Sequence, residues 1–369
     1  MIKRSTLSNI LLYFALLCLG INYILYNALG IEEYKVILRI IGILLMLATW
    51  AISGKRTLTL MQGILLAISS IALMLNGTES INLLALVIIG IAMGADEEGA
   101  EKAYKVNLFL FVLVLAFLAL GVMHNEMWYG GTEVIRKVRW TLGFGNPNHA
   151  TAFFTSFFCL YVITRENINK WNIIIPLILE AGVFYMTNSR TWFVAYIVFS
   201  MIMLIMMHTN KLQNFLQISC VVLIDSFFFA HLFLRNILGF LMRFDVLLSF
   251  RISRFQAELA HFGIKEYLIG GGTVSVDSMY INLLYGYGVI VYLIIWLAVH
   301  ITMTNLKREN NYKMLAFLSA MLIAGLMESS AIRPEFMSSV IIWTVVLYNC
   351  HPRRHSREVD TLHNAAYIH

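Results

Sequence analysis

The sequence predicts an all-α, polytopic integral membrane protein: one helical bundle of about twelve spans with a long extracytoplasmic loop. Three observations carry this expectation. Hydrophobic residues make up 59% of the 369-residue chain and charged residues only 13%, whereas soluble domains hold roughly 45–50% apolar residues. The mean hydropathy is +0.75. Apolar runs of about 15–20 residues recur between polar breaks almost to the end, so no stretch is left for a soluble domain. Residues 1–369 therefore read as a single integral membrane domain.

Taken in order, the predicted spans are 10–28, 36–53, 58–75, 81–93, 106–123, 150–164, 173–187, 192–207, 215–234, 279–299, 314–327 and 337–350. The opening MIKRSTLSN and the apolar run after it lack a small-residue cleavage site, which makes that run an uncleaved first span. Cys18, Cys159, Cys220 and Cys350 are scattered, with neither metal-ligand spacing nor the density of a disulfide framework. They read as packing residues.

Orientation follows the basic residues. With the N-terminus inside, Lys3 and Arg4, Lys55 and Arg56, Lys102 and Lys105, Arg165 and Lys170, and Lys307 and Arg308 fall on one side, as does the tail 351–369. Cytoplasmic loops carry such an excess, so both termini are expected to be cytoplasmic. The exceptions are informative. Arg136, Lys137, Arg139, Arg190, Arg333 and the cations of residues 235–278 land outside. Long loops are exempt from the rule, but the short ones holding Arg190 and Arg333 are not. An extracytoplasmic anionic ligand would account for them. The formal charge of +6 is spread over loops on both sides, which suits lipid head groups or a phosphate-bearing substrate and not nucleic acid.

Several stretches could carry chemistry. Asn146 followed by Pro147 reads as an N-cap with proline at the first helical position. Arg139, Asn148 and His149 around that helix start could also hold a sugar hydroxyl or phosphate. Asn188 or Ser189 is expected to cap the eighth span, which places Arg190 at the positive end of a helix. A bound anion would resolve that conflict, because a guanidinium grips two oxygens at once. The loop 235–278 mixes Arg243, Arg251 and Arg254 with bulky apolar residues and suits interfacial helices. If 243–261 is one helix, Arg243, Arg251, Arg254, Glu258 and His261 share about a quarter of its circumference. Gly270, Gly271 and Gly272 then form a hinge or close-approach turn before Asp277, Ser278, Tyr280 and Asn282 open the tenth span. No nucleotide-binding glycine motif accompanies them. Arg39, Glu180 and Asp225 lie within apolar runs and are expected either to pair with one another or to mark an ion path. No HExxH-type pair or carboxylate cluster marks a metal site.

The order of these stretches, namely 139–148, Asn188-Ser189-Arg190-Thr191, the external loop with Arg251 and Arg254, and Asp277-Ser278-Met-Tyr280-Ile-Asn282 after the glycines, resembles the O-antigen ligase and polysaccharide polymerase superfamily. The likeness spans roughly 136–296. Asp277-Ser278 stands where the ligases have a His-Asn pair, which points to the polymerase branch. The resemblance implies a GT-C-like, metal-independent and cofactor-free inverting glycosyltransferase in a bacterial cytoplasmic membrane. It would join undecaprenyl-pyrophosphate-linked oligosaccharides on the outer face for capsule, exopolysaccharide or O-antigen, alongside membrane lipids, a flippase and a chain-length regulator. It also places Arg190, Arg251 and Arg254 on the pyrophosphate, and Arg139, Asn146, Asn148, His149, Tyr280 and Asn282 on the sugars. Asp277 is expected to be the base, with His261, Glu258 and Glu328 as the other candidates. The competing expectations are a ligase to another acceptor, a transporter of polysaccharide or lipid-linked oligosaccharide, and a membrane scaffold.

Overall fold

In the computed structural model, which describes residues 4–53, 57–77, 81–94, 98–130, 137–207, 210–245, 250–272 and 274–350, every apolar run folds as helix. The first half holds α1 (Arg4–Asn27), α2 (Lys35–Ser53), α3 (Leu60–Asn76), α4 (Ile81–Gly94), α5 (Gly99–Ala119), strands β1 (Met127–Gly130) and β2 (Lys137–Trp140), and α6 (Pro147–Ile163). Next come α7 (Lys170–Thr187), α8 (Arg190–Met206), α9 (Asn210–Leu232), α10 (Leu234–Leu241), α11 (Arg251–Ala260) and α12 (Ile264–Ile269). The chain closes with α13 (Met279–Ile281), α14 (Val289–Arg308), α15 (Tyr312–Ala324) and α16 (Met337–Asn349).

Helix starts are set by short polar side chains. Thr59 and Gln62 form a reciprocal capping box before α3, and Asn169 with Asn172 does the same before α7. Asn146 accepts from the Asn148 N–H at 2.8 Å, with Pro147 opening α6 as the sequence predicts.

Five segments, α1, α2, α5, Leu212–Leu232 of α9, and α14, are long and apolar enough to cross a membrane. In α2, Val36, Ile37, Ile40, Ile41 and Leu44 are exposed on one face, while Arg39, Gly42, Met46 and Thr49 are buried on the other. An outward face of that composition suits lipid and not water. The chain is a multi-pass membrane protein. Within the bundle α1 lies on α2, α4 on α16 and α8 on α15. The α4–α16 approach is so close that a Cβ on Gly90 would meet the Trp343 carbonyl oxygen at 2.6 Å, the small-residue contact that membrane helices favour.

The helical fold class holds, and β1 and β2 add one short antiparallel pair to it, Trp128 opposite Arg139. Three expectations are corrected. Residues 243–261 are not one helix, because a 3-10 turn ends at Phe244, Asp245 follows it, and α11 begins only at Arg251. The tenth span is not continuous from 279. Three residues of α13 run into a π turn over Asn282–Gly286, and Gly288, at φ 88°, separates it from α14. Finally, Arg39, Glu180 and Asp225 do not pair with one another. Arg39 bonds Glu335 at 3.1 Å and Asn82 at 2.7 Å, Glu180 accepts from Thr155, and Asp225 accepts from Trp296 and His300 at 2.9 Å each. The tail 351–369 and Arg136 lie outside the described residues.

Candidate functional site

The site is built where α1, α7 and α15 end and where α6, α8, α13 and α16 begin. The connection from β2 to α6 sets its first side. Gly143 sits at φ 85° with its open side against Leu118 and Met123, a conformation that disfavours any side chain. The Gly145 N–H then bonds the Asn27 carbonyl at the end of α1 at 2.6 Å. This turn brings Arg139 over the helix ends. Its Nε donates to the Thr187 carbonyl at 2.6 Å and its Nη2 to Asn148 Oδ1 at 2.6 Å, with Trp128 lying 5.3 Å beneath the guanidinium. A cation on the last carbonyls of α7 is favourably placed. Burial pulls the Arg139 pKa down to about 10, against the pull of Glu328 and aided by Arg251 and Arg190.

Asn188 ends α7 in the left-handed conformation (φ 51°), and Ser189 takes the N-cap position of α8 without a side-chain capping bond. The exposed Arg190 follows.

Arg251 arrives from the opposite side. Asp245 accepts from the N–H groups of Ile252 and Ser253 at 2.8 and 3.1 Å and so caps α11 with a carboxylate. Ile252, Phe255 and Leu259 bury one face of that short helix. The side chain of Arg251 is left pointing at the α15–α16 turn. There it donates to the Met327 carbonyl and bonds Glu328 at 3.1 Å. The same turn contributes Arg333, whose Nη2 donates to Ser329 Oγ at 3.2 Å, while Ser329 Oγ donates to Asp277 Oδ1 at 3.5 Å. Ser278 caps α13, and the Met279 N–H bonds the Gly325 carbonyl at 2.8 Å. Asp277 is therefore free of capping duty and exposed.

These groups act on one another. Burial raises the Glu328 pKa from 4.5 to about 7; Arg251 opposes the rise, Asp277 adds to it and Arg333 opposes it. Arg333 and Asp277 also lie within electrostatic range of His149. Below them an aromatic floor is formed by Tyr23, Phe153, Phe336 and Trp192, and the Tyr23 hydroxyl donates to the His149 carbonyl at 2.9 Å.

Of the residues predicted from sequence, Arg139, Asn148, His149, Arg190, Arg251 and Asp277 meet here together with Glu328. Asn146 remains the cap of α6. Arg254 is exposed on the outer face of α11, away from the buried stripe. Glu258 accepts from the backbone and hydroxyl of Ser275, both at 2.6 Å, and so ties α11 to the segment before Asp277. His261 is exposed at the end of α11. Tyr280 is fully buried and donates to the Leu322 carbonyl at 3.1 Å. Asn282 donates to the carbonyls of Val276 and Ser278 at 2.9 and 2.8 Å. The last two shape the support of the site more than its surface. Sequence reasoning noticed Arg333 as an outlying cation without assigning it a role, and it passed over Tyr23, which carries no local motif.

The arrangement can hold an anion rich in oxygen. Arg139, Arg251 and Arg333 lie within electrostatic range of Glu328, Arg190 of Arg139, and Asp277 of Glu328 and His149, which leaves an excess of positive charge whose members repel one another. Among the described residues, no group of three or more His, Cys, Asp or Glu is placed to hold a metal ion. Compared with protein-family models, curated proteins and solved structures, the chain matches none.

Proposed function

We propose that this protein is a polysaccharide polymerase of the O-antigen ligase and polymerase type, with about twelve spans and cytoplasmic termini. It would join undecaprenyl-pyrophosphate-linked oligosaccharide units at the outer face of a bacterial cytoplasmic membrane. The observation that carries the reading is the gathering of Arg139, Arg251 and Arg333 within electrostatic range of Glu328, with Arg190 in range of Arg139 and Asp277 in range of Glu328. A pyrophosphate leaving group develops charge on oxygens that these guanidinium groups can grip in pairs.

The acceptor sugar hydroxyl attacks the anomeric carbon of the donor from the face opposite the pyrophosphate. The new C–O bond forms as the bond to the pyrophosphate oxygen breaks, with inversion, and the electron pair leaves on undecaprenyl pyrophosphate. The hydroxyl proton passes to the Asp277 carboxylate, which is exposed and held in place by Ser329. Glu328 acts by holding Arg251. Phe240 of α10 and Met242 and Phe244 of the turn after it are exposed next to Arg243. They suit a lipid chain entering from the side.

Purified protein given lipid-linked repeat units is expected to produce a ladder of longer glycans, and Arg190→Lys and Asp277→Asn to shorten it. A transporter is the second reading, favoured by Glu180 and the Asp225–His300 pair inside apolar helices. It predicts movement of intact lipid-linked oligosaccharide between leaflets and no ladder.

A further inference from the structure

We propose that Glu180 is a buried proton-binding site that exchanges its proton, through a file of hydroxyl groups and water between α6, α7 and α8, with solvent at the arginine-bearing end of the bundle. The site is separate from the glycosyl-transfer chemistry and does not rest on it.

Glu180 has no exposed surface. One carboxyl oxygen accepts from Thr155 Oγ1 of α6 at 2.6 Å, and the other has no hydrogen-bond partner among the described residues. The titratable groups within its range are Cys159 on α6 and Tyr196 on α8. Arg139, carried on β2, reaches only the end of α7 at Thr187. Among the described residues no cation therefore balances a carboxylate at position 180, and an isolated buried carboxylate is too costly to persist. The group must bind a positive charge. A metal ion such as calcium would ask for about six oxygens. The helix carbonyls around Glu180 are largely committed to their own ladders, so a proton is the species that fits.

Hydroxyl groups lead to it. One turn above Thr155, Thr151 Oγ1 donates to Thr187 Oγ1 at 2.8 Å, and the Ser189 N–H approaches that same oxygen at 3.4 Å. Glu180 lies seven residues below Thr187 in the helix, or about 10 Å. On α8, Ser189 Oγ, Trp192 Nε1, Tyr196 OH and Ser200 Oγ recur at helical spacing, all buried and all without a hydrogen-bond partner among the described residues. Tyr196 and Ser200 face each other along α8. Buried polar atoms of this kind are ordinarily satisfied by internal water. The hydroxyl groups of Ser189 and Tyr196 on one helix face, running inward from the arginine end to the level of Glu180, with water held beside them by the Trp192 N–H, make a path for a proton.

Infrared difference spectroscopy of the purified protein in nanodiscs tests this. The expected result is a protonated-carboxyl stretch at neutral pH that persists in the Glu328→Gln variant, where Glu328 no longer contributes, and that Glu180→Gln removes from that variant. In D2O the band should shift promptly. Ser189→Val, at the outer end of the file, should slow the shift, while Ser200→Val, below Glu180, should leave it unchanged. A missing band, a band removed by sodium, a band that does not exchange, or exchange slowed by Ser200→Val and not by Ser189→Val would each overturn the proposal.

Discussion

Arg251→Met breaks the contact that fastens α11 to the α15–α16 turn, and its cost can be worked from the pair itself. The Glu328 side chain is 7% exposed and that of Arg251 20%, with 3.1 Å between them. Removing one partner of such a pair leaves a buried charge uncompensated and costs about 3–5 kcal/mol, whereas replacing both can be close to neutral. Arg251→Met is therefore expected to lose about 3 kcal/mol or more at alkaline pH. The double variant Arg251→Met/Glu328→Gln should recover most of the loss. The pH dependence has a definite sign. Burial already holds Glu328 at about 7 with Arg251 beside it, and without Arg251 the folded state keeps the proton to higher pH still. The unfolded chain releases that proton in the ordinary glutamate range, so the folded state carries the extra proton and stability falls as pH rises. The Arg251→Met defect should be largest near pH 9 and small near pH 5. Reversible denaturation in detergent at both pH values measures it. An Arg251→Met protein as stable as wild type at pH 9, or a double variant worse than either single one, would refute the buried-pair assignment.

Arg190→Lys keeps the charge but loses the planar two-oxygen grip, so turnover in the ladder assay should fall about tenfold or more at equal protein level. Asp277→Asn removes a carboxylate that caps no helix; thermal stability should stay near wild type while turnover drops about 10²-fold or more. Gly288→Ala forces a side chain to φ 88° with its Cβ 2.6 Å from the Leu268 carbonyl oxygen and the Ile269 carbonyl carbon. The left-handed conformation alone costs about 1–2 kcal/mol. The yield of folded protein should drop well below that of Gly182→Ala, where nothing stands within 4 Å.

Helices were legible because lipid-facing and buried residues are both apolar, so the runs stand out whatever their neighbours. The Asn146-Pro147 start was legible because capping is a local interaction. The β1–β2 hairpin was hidden by brevity, since four residues in each strand give too little alternation to see. In the loop, Arg251 and Arg254 looked equivalent as cations. What separates them is the buried stripe of Ile252, Phe255 and Leu259, which turns Arg254 outward. Glu335 could not be matched to Arg39, nor Glu328 to Arg251, because each pair joins segments far apart in the chain. Only tertiary packing brings those charges together. Tyr280 and Asn282 sit in a motif-like stretch, yet they bond backbone carbonyls of their own surroundings. Residue type alone does not reveal whether a polar group serves the site or its scaffold.

Reconstitution tests the polymerase reading most directly. Purified protein, lipid-linked repeat units labelled on the sugar and no other enzyme should yield a ladder of glycans with release of undecaprenyl pyrophosphate, and Arg251→Lys and Asp277→Asn should diminish both. Labelled repeat units that remain single while protein and substrate share the bilayer, or a ladder that both variants leave unchanged, would contradict it.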